Sequence, residues 1–229
     1  MIKHAAQRTT PGPGAAVVFD CDGLLITTEV AWDLAYGAIF AQHGAAIDEA
    51  DRDRLRGLDL TAVGLFLAER LHHPAPSSAL AAQALDLMRS HVDRVIAPMP
   101  GATQLVAELV GTRPVAVASN APTDVVEANL RRFFDLSGVV IVGGDMVDAP
   151  KPQPDIYLAA CAALASDPAA TWALEDSATG AAAALAAGLC VIGVPHTEGS
   201  AFPCHMRVGS LDDPHLRQVL LGETTSGTR

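Results

Sequence analysis

Ala15-Ala16-Val17-Val18-Phe19-Asp20-Cys21-Asp22-Gly23 is an apolar run that stops on two carboxylates. It is short, β-branched at its centre and preceded by Thr9-Thr10-Pro11-Gly12-Pro13-Gly14, so it reads as a buried strand rather than a helix. Side chains alternate faces along a strand, so Asp20 and Asp22 lean to one side while Cys21 faces the core and is inert. Two acids at a strand end have a clear chemical use. One can coordinate a hard cation and attack an electrophile while the other exchanges a proton with the leaving group. A plain turn of Asp and Gly would look the same locally, so the rest of the chain decides.

From Pro98-Met99-Pro100-Gly101 onward, helical patterns alternate with buried strands. Val115 to Ala118 ends on Ser119-Asn120, Val139 to Val142 ends on Gly143-Gly144, Thr171 to Leu174 ends on Glu175-Asp176, and Leu189 to Val194 follows. Parallel strands need crossover helices, so this alternation predicts an α/β fold with a doubly wound parallel sheet. An edge strand at Met206 to Val208 and a last helix near His215 to Leu221 are expected, with Gly222 to Arg229 frayed. Residues 31 to 97 read as helix throughout. Thr28 can cap a helix to about His43, a short charged segment runs from Asp48 to Arg56, and Thr61 to Leu71 looks helical. Ser77 or Ser78 can cap the clearest helix, with Leu80, Ala84, Leu87, Met88 and Val92 on one face. The expected organisation is a Rossmann-like core of residues 1–30 and 98–229 with an inserted all-helical cap of residues 31–97.

Composition removes several alternatives. There are 26 acidic residues against 15 basic ones, a formal charge of -11, and no Lys/Arg cluster to follow a phosphate backbone, so no nucleic-acid partner is expected. Cys21, Cys161, Cys190 and Cys204 form no Cys-x-x-Cys pair, which fits a reducing, cytoplasmic setting. Met1-Ile2-Lys3-His4 lacks the apolar core of an export signal. Ala178 to Val194 is uncharged and approaches membrane-spanning length, but Gly188 divides it into a helical and a strand-like half, so no membrane span is expected. A monomer or small homo-oligomer is anticipated.

Ligands of open parallel sheets gather beyond the carboxyl ends of the strands. Three strands end there in polar pairs: Asp20 and Asp22, Ser119 and Asn120, Glu175 and Asp176. Lys151 is the fourth element. The chain has two lysines, Lys3 and Lys151, against 13 arginines. An ordinary surface cation would have been Arg. A compact ammonium aimed at a phosphoryl oxygen or a carboxylate is a more specific use.

With these residues in view, the chain resembles the haloacid dehalogenase superfamily, in the branch of β-phosphoglucomutase-like sugar phosphatases with a helical cap. Phe19 to Leu25 matches its first motif, Ala118-Ser119-Asn120 its second, Lys151-Pro152-Gln153-Pro154-Asp155 its third and Glu175 to Gly180 its fourth. The resemblance implies a Mg²⁺-dependent phosphohydrolase for a small phosphorylated metabolite such as a sugar or polyol phosphate. Asp20 would be the nucleophile that forms an aspartyl phosphate, and Asp22 the general acid and base. Mg²⁺ would be held by the Asp20 carboxylate, the Asp22 carbonyl and Asp176, with Glu175 direct or through water. Ser119, the Asn120 N–H and Lys151 would hold phosphate oxygens, and Arg56 in the cap could contact the distal part of the substrate.

Two departures from the family pattern stand out. Thr27-Thr28-Glu29 replaces the usual Asp-Thr-Glu, which is expected to weaken a contact near the hinge. Trp32 stands about where β-phosphoglucomutase has a histidine that handles protons, which disfavours the alternative of a phosphomutase. A receiver-like phospho-acceptor switch is the alternative from another class, but its acid pair precedes the acceptor in the chain. His72, His73 and His91 read as helix-end or interface residues.

Overall fold

The computed structural model describes residues 10–12, 14–195 and 202–222. The expectations for Met1 to His4 and for the tail beyond Gly222 fall outside them. Six strands form one parallel sheet: β1 (Val17–Phe19), β2 (Val115–Ser119), β3 (Val139–Gly143), β4 (Trp172–Glu175), β5 (Cys190–Gly193) and β6 (Met206–Arg207). Their order is β3-β2-β1-β4-β5-β6, so successive strands run outward on one side of β1 and then on the other. That reversal opens a crevice beyond the carboxyl ends of β1 and β4.

The two-residue period of the strands sorts side chains into two apolar layers. Val17, Phe19, Val117 and Leu174 face α5 (Ala102–Leu109), α6 (Thr123–Leu130) and α9 (Pro214–Leu221). Val18, Ala116, Ala118 and Ala173 face α7 (Asp155–Ala163) and α8 (Ala178–Ala187). The second layer is built from small side chains, which lets α8 lie close on the sheet. Cys21 belongs to the first layer and is buried, and burial, with Asp22 and Asp20 adding, pushes its thiol well above the usual range. The uncharged stretch from Ala178 resolves into α8, a left-handed Gly188 and β5. Among the described residues no helix is long and apolar enough to cross a membrane.

Between β1 and α5 the chain forms α1 (Glu29–Gln42), α2 (Glu49–Leu55), α3 (Leu60–Arg70) and α4 (Ser77–Val95). The charged segment after Asp48 is thus a helix, started by a reciprocal capping box between Asp48 and Asp51. Tyr36, Ile39, Phe40, Leu67, Leu80 and Ala84 give this block an apolar centre of its own. A second cluster, Ala31, Ala35, Met88, Val92 and Ile96, seats it on Val125 of α6. Ion pairs Arg89 to Asp124 (2.7 Å) and Arg132 to Asp93 flank that seat.

Two capping expectations need correction. Pro76, not a serine, precedes the first turn of α4, and its fixed φ of -54° enters the helix without a side-chain cap. Thr28 does hold the N-cap position of α1, but its hydroxyl makes no capping bond. At the hinge the replacement residue makes contacts of its own. Thr27 N donates to Ala97 O (2.9 Å), Ala97 N donates to Thr27 Oγ1 (3.0 Å), and Ile26 pairs with Pro98, so the two chain crossings into the helical block are stitched together.

Candidate active site

β1 ends on Asp20, whose N–H continues the pairing of β1 with β4 by donating to Leu174 O (3.0 Å). This fixes the carboxylate at the crevice. Lys151, on the loop after β3, is 6% exposed and donates from Nζ to Asp20 Oδ1 (2.5 Å) and Glu175 Oε1 (2.6 Å). Burial alone would depress the ammonium, but Asp20 and Glu175 outweigh it and hold the group well above its usual range. Glu175, at the end of β4, is 0% exposed. It also accepts from the Tyr157 hydroxyl on Oε1 and from Ser177 Oγ on Oε2 (3.2 Å). The Lys151 ammonium lies 5.0 Å from the centre of the Tyr157 ring.

Asp22 is held from two sides. Thr28 Oγ1 donates to its Oδ1 (2.6 Å) and Ser119 Oγ to its Oδ2 (2.8 Å), so hydroxyls from α1's start and from the end of β2 orient one carboxylate. Ser119 therefore contacts Asp22 as well as sitting at the expected phosphate edge. Asn120 uses its side chain on the chain itself. Its Nδ2 donates to Gly57 O (3.0 Å) and Lys151 O (3.1 Å), and its Oδ1 accepts from Lys151 N (2.8 Å). Arg56, next to Gly57, is half-exposed and paired with Asp53 (2.8 Å) and Glu29 (3.5 Å).

Asp20, Glu175 and Asp176 each bring a carboxylate oxygen within 4.8 Å of the others. Carboxylates are the hard donors that Mg²⁺ prefers. Burial pushes the Asp20 carboxyl up to about 8, against the pull of Lys151 and with the push of Glu175 and Asp22. Asp176 is pushed up to about 9 by burial and then by Asp20 and Glu175. Three carboxylates gathered at one strand edge form a donor set that fits a divalent cation.

All of the strand-end residues predicted from the sequence come together, and Arg56 is exposed one residue before Gly57, whose carbonyl accepts from Asn120. Nothing local in the sequence marks Tyr157 and Thr28 as site residues, because a buried Tyr on an apolar helix face and a Thr before a helix both have ordinary structural uses. Their spacing, Tyr157 two residues after the Asp155 of the lysine motif and Thr28 six after Asp22, was the available signal.

A family model described as haloacid dehalogenase-like hydrolase matches residues 15–188. The chain belongs to the haloacid dehalogenase-like hydrolases. Hexitol phosphatase B of Escherichia coli O157:H7 is 32% identical over 93% of this chain and 99% of its own length. The bifunctional riboflavin kinase/FMN phosphatase of Arabidopsis thaliana is 30% identical over 79% of this chain, and the chain spans about half of that protein (48%). Among solved structures, CbbY from Rhodobacter sphaeroides in complex with phosphate superposes with a TM-score of 0.72 at 30% identity, covering 86% of this chain and 94% of that one. The chain of this family is accordingly an enzyme, with phosphatases among its named relatives.

Proposed function

We propose that this enzyme removes phosphate from a small phosphorylated metabolite, a sugar or polyol phosphate, through an aspartyl phosphate on Asp20. The observation that carries the reading is the Lys151 ammonium within hydrogen-bond reach of both Asp20 and Glu175, with Asp22 beside them on paired hydroxyls. The named relatives, a hexitol phosphatase and a CbbY that binds phosphate, support the substrate class.

In the first half-reaction a carboxylate oxygen of Asp20 bonds to phosphorus. The ester oxygen leaves with a proton from Asp22, giving the free alcohol. In the second, Asp22 takes a proton from water, the water oxygen attacks phosphorus, and phosphate leaves Asp20. Thr28 and Ser119 serve both states of Asp22, since a hydroxyl can donate to the carboxylate and rotate to accept from the acid. The Asn120 N–H and Lys151 hold phosphoryl oxygens as charge redistributes. Mg²⁺ held by Asp20, the Asp22 carbonyl and Asp176, with Glu175 behind them, would offset repulsion between nucleophile and phosphate. Residues 31–97 form a helical cap over the sheet core, and Arg56 meets the distal part of the substrate.

The phosphomutase alternative has Trp32 against it. Its indole nitrogen only donates and cannot take a proton from a sugar hydroxyl, and its ring stacks on Tyr36 with 5.6 Å between centroids. A receiver-like switch is disfavoured by strand order, which in that fold begins 2-1-3 and here runs 3-2-1-4-5-6. Incubation with p-nitrophenyl phosphate and Mg²⁺ tests the proposal. Many turnovers with release of inorganic phosphate are expected, and loss of all of them in Asp20→Asn with an unchanged circular dichroism spectrum. A single phosphate per chain, an isomeric sugar phosphate as product, or activity retained in Asp20→Asn would overturn it.

A further inference from the structure

The Asn120 side chain has three partners in two parts of the molecule. Its amide nitrogen donates to Gly57 O, on the loop between α2 and α3, and to Lys151 O, while its oxygen accepts from Lys151 N. The Lys151 peptide is thus gripped at both its N–H and its C=O by one planar amide. The same amide reaches 63 residues back to the helical block. From the geometry we infer that Asn120 is a positioning residue that couples the seating of the 56–58 loop to the placement of the Lys151 ammonium.

The chemistry of the contact supports a link rather than a local fastening. An amide NH₂ has two donors in fixed relation, so an atom that satisfies both Gly57 O and Lys151 O sets the distance between the two loops. Lys151 lies between Pro150 and Pro152, which have no N–H, so its own N–H is the donor that anchors this short stretch. Its side chain is committed to Asp20 and Glu175. Displacing its backbone therefore moves the cation against its two carboxylates. On the other side, Gly57 adopts φ +72°, a left-handed conformation that a β-branched residue strongly disfavours, and an added Cβ there would meet nothing within 4 Å. A Gly57→Val change would therefore act on the loop through its backbone, its Cβ meeting no neighbour.

Amide hydrogen exchange in the full chain reads the coupling from both ends. In Asn120→Ala, exchange should accelerate by about fivefold or more at Lys151, which loses its acceptor, and also at Leu58, whose N–H is bonded within the loop to Leu55 O (3.3 Å). In Gly57→Val, exchange at Lys151 should accelerate although the substitution is remote in sequence. Acceleration confined to the substituted segment in either protein overturns the link, and because the variants act from opposite ends, one that fails to fold leaves the other decisive. The kinetic arm rests on the phosphatase reading above. Asn120→Ala should lower kcat/KM by about tenfold, and the double variant should lose no more than the worse single one. Losses that multiply would show two independent effects and overturn the coupling. Absence of turnover in the unsubstituted enzyme would count against the phosphatase reading, with the exchange result standing by itself.

Discussion

A methyl group on Gly180 would lie 1.9 Å from Glu175 Oε1, so this glycine is the floor on which the buried carboxylate rests. Gly180→Ala must push Glu175 aside, at a cost of about 1–3 kcal/mol for overpacking. Because Glu175 holds Lys151, activity is expected to fall further than stability, which kcat measured beside a urea unfolding curve will show. Thr28→Val keeps the shape but deletes the hydroxyl that donates to Asp22. Hydrogen bonds to charged groups contribute about 1.5–3 kcal/mol, so a fall in kcat of about 10- to 100-fold is expected with little change in KM. At this scale the sequence was informative wherever chemistry and rarity coincided, as at Lys151, one of two lysines in the chain. It was uninformative for Tyr157, whose hydroxyl matters only because the end of β4 passes over an otherwise apolar helix face.

Helix α2 shows an element whose stability depends on one acid. Asp51 is buried, which by itself would raise its pKa. The hydrogen bond from Arg70 and the backbone N–H of Asp48 outweigh that and lower it below its ordinary 3.8. A depressed carboxyl contributes stability that is whole above its unfolded pKa and is lost as pH falls through the folded one. Thermal melts should therefore show a loss below about pH 4 that is smaller in Asp51→Asn, a protein already lacking the contribution at neutral pH. Helix existence was largely legible from apolar periodicity, as in α4. Helix starts were less so. Ser77 and Thr28 both fit a capping pattern, yet Pro76 already sets the backbone for one, and Asp22 takes the hydroxyl of the other.

For the whole molecule, the helical block meets the sheet layer through exposed ion pairs and an apolar seat, and these contribute unequally. Arg89 to Asp124 is an exposed pair of the kind that contributes about 0–1 kcal/mol, so Asp124→Asn should leave chemical denaturation within that range. Val125, 4% exposed under α1 and α4, should not tolerate Asp, which would bury a charge with no partner among apolar neighbours. Val125→Asp is expected to lower the urea midpoint and kcat/KM together. The parallel sheet and its helical insertion could be read from alternation alone, because crossover geometry leaves few other solutions. The seat of the insertion could not, since it joins residues 31, 88 and 125, which no local pattern connects. Where the polypeptide passes into the insertion at Thr27 and out of it at Ala97, the two passages are bonded side by side. Two passages fastened along one line cannot slide past each other, so a force on either is shared by both and the insertion keeps a single register against the sheet layer.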